Sequence, residues 1–149
     1  MHHFIIDGNN LIGKMYRIKS KDKITEREQI SFILERFFSG KKAKVSLHFD
    51  GHKNLPIKVS GIKIIYSENR TADELIKNEI ERATNRKNIT LISSDNNLRE
   101  FARVCSCSVM SSENFINEIN SSQAGDEENK IIESLQQNKN EFKKLFGVD

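Results

Sequence analysis

Residues 2–10 read HHFIIDGNN: an apolar run, Phe4-Ile5-Ile6, delivers Asp7, Gly8, Asn9 and Asn10 in one step. A strand followed by a turn is the plain reading. What raises it is recurrence. KVSLHFD at 44–50 alternates Val45, Leu47 and Phe49 and ends in Asp50, and NITLISSD at 88–95 ends in Asp95. GIKIIYS at 61–67 and CSCSVM at 105–110 are two further strand-like runs. Helical patterns lie between them. TEREQISFILERFFSG at 25–40 places Ile30, Ile33, Leu34, Phe37 and Phe38 on one face, with Gly40 as a stop. TADELIKNEIERATNR at 71–86, NLREFARV at 97–104 and SENFINEI at 112–119 are also helical in pattern. Strands alternating with helices predict an α/β fold, three layers deep, with a central, mostly parallel five-stranded sheet covered on both faces.

That domain is expected over residues 1–120. Residues 121–149 are expected outside it, as the rest of a polar linker (NSSQAGDEEN, 120–129) and a C-terminal amphipathic helix over 131–147. The apolar stripe of that helix, Ile131, Leu135, Phe142 and Phe146, suits packing on the domain or on a second copy in a homodimer; docking of a separate protein is the alternative.

The chain has 149 residues, enough for one domain with its own core. No apolar run approaches the roughly 20 residues of a membrane helix. No basic stretch followed by a long apolar one marks a secretory signal, and His2 and His3 are too few for a tag. Cys105 and Cys107 form a lone C-x-C, a weak zinc pattern without a second Cys or His pair. As an alternating strand, 105–107 would put both thiols on one face, buried and reduced, as in a cytoplasmic protein.

The net charge of +3 is uneven: KMYRIKSKDK at 14–23 carries five bases and one acid, and Lys41, Lys42 and Lys44 form a second cluster. Clustered bases are a phosphate footprint or a solvated face.

Asp7, Asp50 and Asp95 all close strands. In an open parallel sheet, ligands bind beyond the carboxyl ends of the strands, where the strand order reverses. With the order 3-2-1-4-5, Asp7 and Asp95 face each other across that crevice. Two such carboxylates call for a cation, and oxygen donors suit Mg²⁺ or Mn²⁺. Asp73 is a third candidate, in the first turn of the helix that follows the strand at 61–67. Bland readings stand beside each. Thr71 and Glu74 make a capping box, as T-E-R-E at 25–28 also does; Asp95 suits a helix cap; Asp50 suits a turn before Gly51.

Four blocks, DGNNLIG at 7–13, HFDG at 48–51, YSENRTADELI at 66–76 and LISSDNNLREFA at 91–102, resemble the NYN domains, especially the bacterial YacP-like group of the PIN-like nuclease superfamily. They lie in family order across residues 3–119. Asp7, Asn10, Asp73 and Asp95 fall on the family's motif positions, and Asn9 stands where an aromatic residue is usual. The resemblance implies a PIN-like fold and a metal-dependent endoribonuclease, with Mg²⁺ or Mn²⁺ held by Asp7, Asp73 and Asp95 and an amide from Asn10. Products would carry 5′-phosphate and 3′-hydroxyl ends. Asp50, Glu74 and Asn96 are second-choice contributors. Gly8 is expected to permit a tight turn. Lys14, Arg17, Lys19, Lys21 and Arg70 are candidates for the RNA backbone, and Tyr16 or Tyr66 for stacking on a base, Tyr66 better suiting the core. Some relatives act on RNA at the ribosome, so the alternative function is a non-cleaving RNA- or ribosome-binding module.

Other phosphoryl chemistries fit less well. Haloacid-dehalogenase-like phosphatases need a second Asp two residues after the first, where Asn9 stands. Receiver domains need paired acids by the first strand. A nucleotide-binding loop needs more glycine than Gly8 and Gly13 supply.

Overall fold

The computed structural model describes residues 1–18 and 22–127, with 123–127 as backbone only. Lys19 and Lys21 therefore lie outside the described residues, as does the helix expected at 131–147. Five strands, β1 (His2–Asp7), β2 (Ala43–Phe49), β3 (Lys63–Tyr66), β4 (Ile89–Ile92) and β5 (Ser108–Met110), form one parallel sheet in the order β3-β2-β1-β4-β5. The chain winds outward from β1 to β3, returns across the sheet, and winds outward again through β4 and β5. The reversal falls between β1 and β4, as the alternation of elements predicts.

Alternation along β1 sorts the two cores. Phe4 and Ile6 face α1 (Gly8–Lys14), α2 (Lys23–Phe38) and α5 (Ser112–Glu127), packing with Leu11, Leu34, Phe37, Leu47 and Phe115. Ile5 faces the other way and packs with Ile76 and Ile80 of α3 (Ala72–Arg82) and Leu98 and Ala102 of α4 (Asn96–Val104). Both faces of the sheet are covered, which is why β1 and β4 read as near-continuous apolar runs. No helix among the described residues is long and apolar enough to cross a membrane.

Four local expectations change. The stretch after Asp7 is not a turn but the helix α1. Seven residues, two of them Gly and two Asn, are too few and too polar to show a helical period. Its buried Leu11 and Ile12 supply the packing that propensity does not. α2 starts two residues early: Asp22 accepts from the Ile24 N–H at 3.0 Å and the Thr25 hydroxyl at 2.8 Å, so T-E-R-E is not the cap. The strand expected over 105–110 is only Ser108–Met110; Ser106 has φ of 70°, which turns the chain out of α4. Both cysteines are free, Cys107 buried and Cys105 half-buried. Finally, α5 runs to Glu127, through most of the stretch expected as linker. No proline interrupts it, and Phe115 and Ile119 anchor its first half in the core.

Candidate active site

Asp7 ends β1 beside β4, level with His48 of β2. It takes the N-cap position of α1 with no side-chain capping hydrogen bond of regular geometry, although the Asn10 N–H in the first turn still acts on its carboxylate. Ser93, fully buried, donates from Oγ to Asp7 Oδ2 at 2.9 Å and accepts the Asp95 N–H at 3.0 Å. One hydroxyl thus links the Asp7 carboxylate to the main chain of Asp95 across the point where strand order reverses. Burial pushes the Asp7 carboxyl above its ordinary pKa. The Ser93 hydroxyl and, more weakly, the Asn10 N–H oppose that, and the charges of Asp95 and Asp50 reinforce it.

Asp95 also caps α4, accepting from the Leu98 N–H at 3.0 Å through Oδ1. The bland reading of this residue is therefore part of its role. Asp50 sits in the loop after β2; its Oδ1 accepts the Ala72 N–H at 2.7 Å and tethers the start of α3 to the same edge. Asp73 follows one residue later, with its carboxylate 3.2 Å from Lys77 Nζ. The negative charges that Asp7 feels are those of Asp95 and Asp50. Glu74 completes the capping box with Thr71 and also accepts from Arg70 Nε at 3.1 Å. Asn96 is exposed in the first turn of α4.

The amides act as clamps. Asn10 Oδ1 accepts from the Ser94 N–H at 2.9 Å and the Ser112 hydroxyl at 2.7 Å, joining α1 to the loop after β4 and to α5. Asn9 Oδ1 accepts the Asp50 N–H at 2.7 Å, fixing the loop after β2. Gly8 serves a different end from the one expected. It is helical, and a Cβ there would lie 2.6 Å from the His48 carbonyl oxygen and 2.8 Å from the Phe49 ring. Close approach of α1 to β2, not a tight turn, requires the glycine.

Several contributors carry no sequence signal of their own. Arg27, almost fully buried, lies over the Phe49 and Tyr66 rings and donates to the carbonyls of Asp50 and His52. Ser67 accepts the Gly51 N–H at 2.8 Å. Ser94 donates to Glu113 in the first turn of α5, and that hydrogen bond lowers the Glu113 pKa. In the sequence, Ser93 is only a letter near Asp95.

Of the expected RNA contacts, Lys14 is exposed, 3.8 Å from Glu113, and Arg17 is exposed just beyond α1. Arg70 is exposed but held by Glu74. Tyr16 is 86% exposed, whereas Tyr66 packs on Phe49.

Among the described residues, none of Asp7, Asp50 and Asp95 has an ion-pair partner. Nor do three His, Cys, Asp or Glu side chains close into a ready-made metal cage there. The donors at this edge are carboxylate oxygens, the kind that Mg²⁺ and Mn²⁺ take together with several waters.

A family model described as the YacP-like NYN domain matches residues 4–146. Two crystal structures of Rae1 (YacP) from Bacillus subtilis share the fold. One superposes with a TM-score of 0.69 at 20% identity, covering 99% of this chain and 88% of that one. The other, a point mutant, gives 0.68 at 20% identity, covering 92% and 89%. No curated protein matches the chain.

Proposed function

The chain belongs to the YacP-like NYN domain family, a PIN-like nuclease family, and from that premise we propose that it is a metal-dependent endoribonuclease. The observation that carries this reading is the set of carboxylates at the switch point, Asp7, Asp50 and Asp95, without an ion-pair partner among the described residues. Burial and like charge raise the Asp7 pKa, and a bound cation would reverse that.

In this reading Asp7 and Asp95 hold Mg²⁺ or Mn²⁺, with Asp73 joining through water once released from Lys77. Asp50 positions Asp73 through its bond to Ala72. When bound, the cation supplies Lewis acidity at the scissile phosphate and an acidified water for in-line attack, leaving 5′-phosphate and 3′-hydroxyl ends. Ser93 fixes the geometry of Asp7 and Asp95. Asn10, its oxygen committed to Ser94 and Ser112, has its amide N–H groups to offer a phosphate oxygen. Lys14, Arg17, Arg70 and, outside the described residues, Lys19 and Lys21 hold the RNA backbone, and Tyr16 stacks on a base. The free thiols Cys105 and Cys107 suit the cytoplasm.

The test is cleavage of single-stranded and structured RNA with Mg²⁺ or Mn²⁺ by wild type and Asp95→Asn. Asparagine still caps α4, so the substitution removes charge and spares the helix. Loss of activity in the variant and in EDTA is expected; equal activity in either would defeat the metal-site reading. A second reading has its own observation: Asp95 and Asp50 both serve as caps. It makes the domain an RNA- or ribosome-binding module that does not cut, and RNA binding without cleavage under any divalent metal would favour it.

A further inference from the structure

A concavity lies between α3 and the strands β1, β2 and β3. It encloses about 350 Å³, within the range of small-ligand sites. Its floor is polar where a core would be apolar. Glu79 of α3 faces the sheet and is held by three donors: Ser46 Oγ at 2.6 Å, His48 Nε2 at 2.7 Å and His3 Nε2 at 3.3 Å. With Nε2 turned to the carboxylate, His48 keeps its Nδ1 buried and without a partner. The one lining acid is thus occupied from below.

The rim is cationic. Lys44, Lys63 and Arg82 are exposed and form no ion pair among the described residues. The register places Lys44 beside His3 and Lys63 beside Ser46, so these charges sit over the same floor. Ile65, Leu75 and Ala83 give the walls an apolar part. Arg70 closes the end nearest the catalytic edge, two residues before Ala72, which Asp50 holds. An anionic rim partner with a flat, weakly polar body describes a nucleotide.

We propose that this pocket is a second RNA-binding site, taking one nucleotide of a single strand. Its base lies against Ile65, Leu75 and Ala83, its phosphates lie on Lys44, Lys63 and Arg82, and the strand continues past Arg70 to the acids. The assignment rests on the reading of the domain as one that acts on RNA.

Binding of labelled single-stranded RNA to the full chain, followed by fluorescence anisotropy in EDTA, separates affinity from cleavage. Lys44→Gln/Lys63→Gln/Arg82→Gln is expected to lower affinity about tenfold at moderate salt. It should also flatten the salt slope by about 1.4, since one nucleotide of a strand is flanked by two phosphates and each one neutralised contributes about 0.7. A control with the same charge change elsewhere, Lys53→Gln/Lys58→Gln/Lys87→Gln, is expected to keep the slope. Equal slopes in the pocket variant and wild type overturn the site. A nucleoside 5′-monophosphate that binds as tightly as the strand overturns RNA as its ligand. Wild-type cleavage with an unaffected pocket variant sinks this inference alone; a wild type that neither binds nor cuts RNA sinks the functional reading with it.

Discussion

Gly8 and Gly13 lie on one seven-residue helix, and the same substitution should move stability in opposite directions at the two. At Gly8 a Cβ meets the His48 carbonyl oxygen at 2.6 Å and Phe49 ring carbons at 2.8 Å. Comfortable carbon contacts lie near ~3.5 Å, so α1 and β2 must separate by roughly 0.7 Å or more. The oxygen belongs to a strand paired on both sides, and the fully buried Phe49 ring has no room to swing. Overpacking of this kind costs about 1–3 kcal/mol, and backbone on the receiving side puts it near ~3 kcal/mol. Lost chain entropy in the unfolded state returns about 0.5–1 kcal/mol. The net is a loss of ~2 kcal/mol, or roughly 4–8 °C in Tm for a domain of this size. At Gly13 nothing lies within 4 Å, so only the entropy gain acts and Tm should rise by ~2 °C. Paired thermal melts by circular dichroism, backed by urea titration, measure both. A Gly8→Ala protein as stable as its parent, or two shifts of the same sign, would refute the close-approach argument.

Three further outcomes are expected. Asp7→Asn removes a carboxylate whose pKa burial has raised; in the metal-free protein that charge costs stability as pH rises through the raised value. The variant should therefore melt ~2–4 °C higher than wild type at pH 7 in EDTA, and a lower Tm there would contradict the strain placed on Asp7. Burial raises the Glu79 pKa, but the hydrogen bonds from His3, His48 and Ser46 outweigh it and hold the group far below its ordinary range. Its contribution is present above the unfolded value of 4.5 and lost as pH falls below it. Glu79→Gln should cost about 2 kcal/mol at pH 7 and flatten the acid limb of stability, read from urea midpoints between about pH 7 and pH 3; parallel curves would reject the network. Asn9→Ala frees the Asp50 N–H, so it should cost about 1 kcal/mol and lower RNA cleavage while affinity in EDTA holds, and a cleavage rate equal to wild type would show that Asp50 needs no such anchor.

The fold is legible because its logic is two-valued. Strands covered on both faces are largely apolar on both, and Phe4-Ile5-Ile6 and the run from Ile89 to Ile92 read most simply as buried parallel strands. Short elements escape for the complementary reason. α1 holds together by burying Leu11 and Ile12 under α2 and α5, a tertiary fact absent from seven polar-leaning letters. The turn at Ser106 likewise depends on carbonyls of α4 accepting its neighbours: Cys107 N–H donates to Ala102 O at 2.9 Å. Nothing in C-S-C announces a left-handed residue.

The site is legible in its charges and illegible in its scaffolding. Asp7 and Asp95 are readable because a carboxylate after an apolar run has few destinations in a parallel sheet. What links the Asp7 carboxylate to the Asp95 main chain is Ser93, and a serine carries no distinguishing pattern; only its complete burial and its two hydrogen bonds mark it. Asn9 makes the point most sharply. By the family resemblance alone it reads as an amide where an aromatic residue is expected. In three dimensions its oxygen holds the Asp50 N–H, and Asp50 in turn holds the start of α3 and hence Asp73. The acids that sequence sets 23 residues apart, Asp50 and Asp73, are thus coupled through a residue 41 positions before the first of them. Capping and catalysis are not rival explanations here: the same helix starts that need carboxylates to satisfy their N–H groups are the places where the sheet opens to a substrate. Asp95 shows both at once, capping α4 through Oδ1 while its charge bears on Asp7.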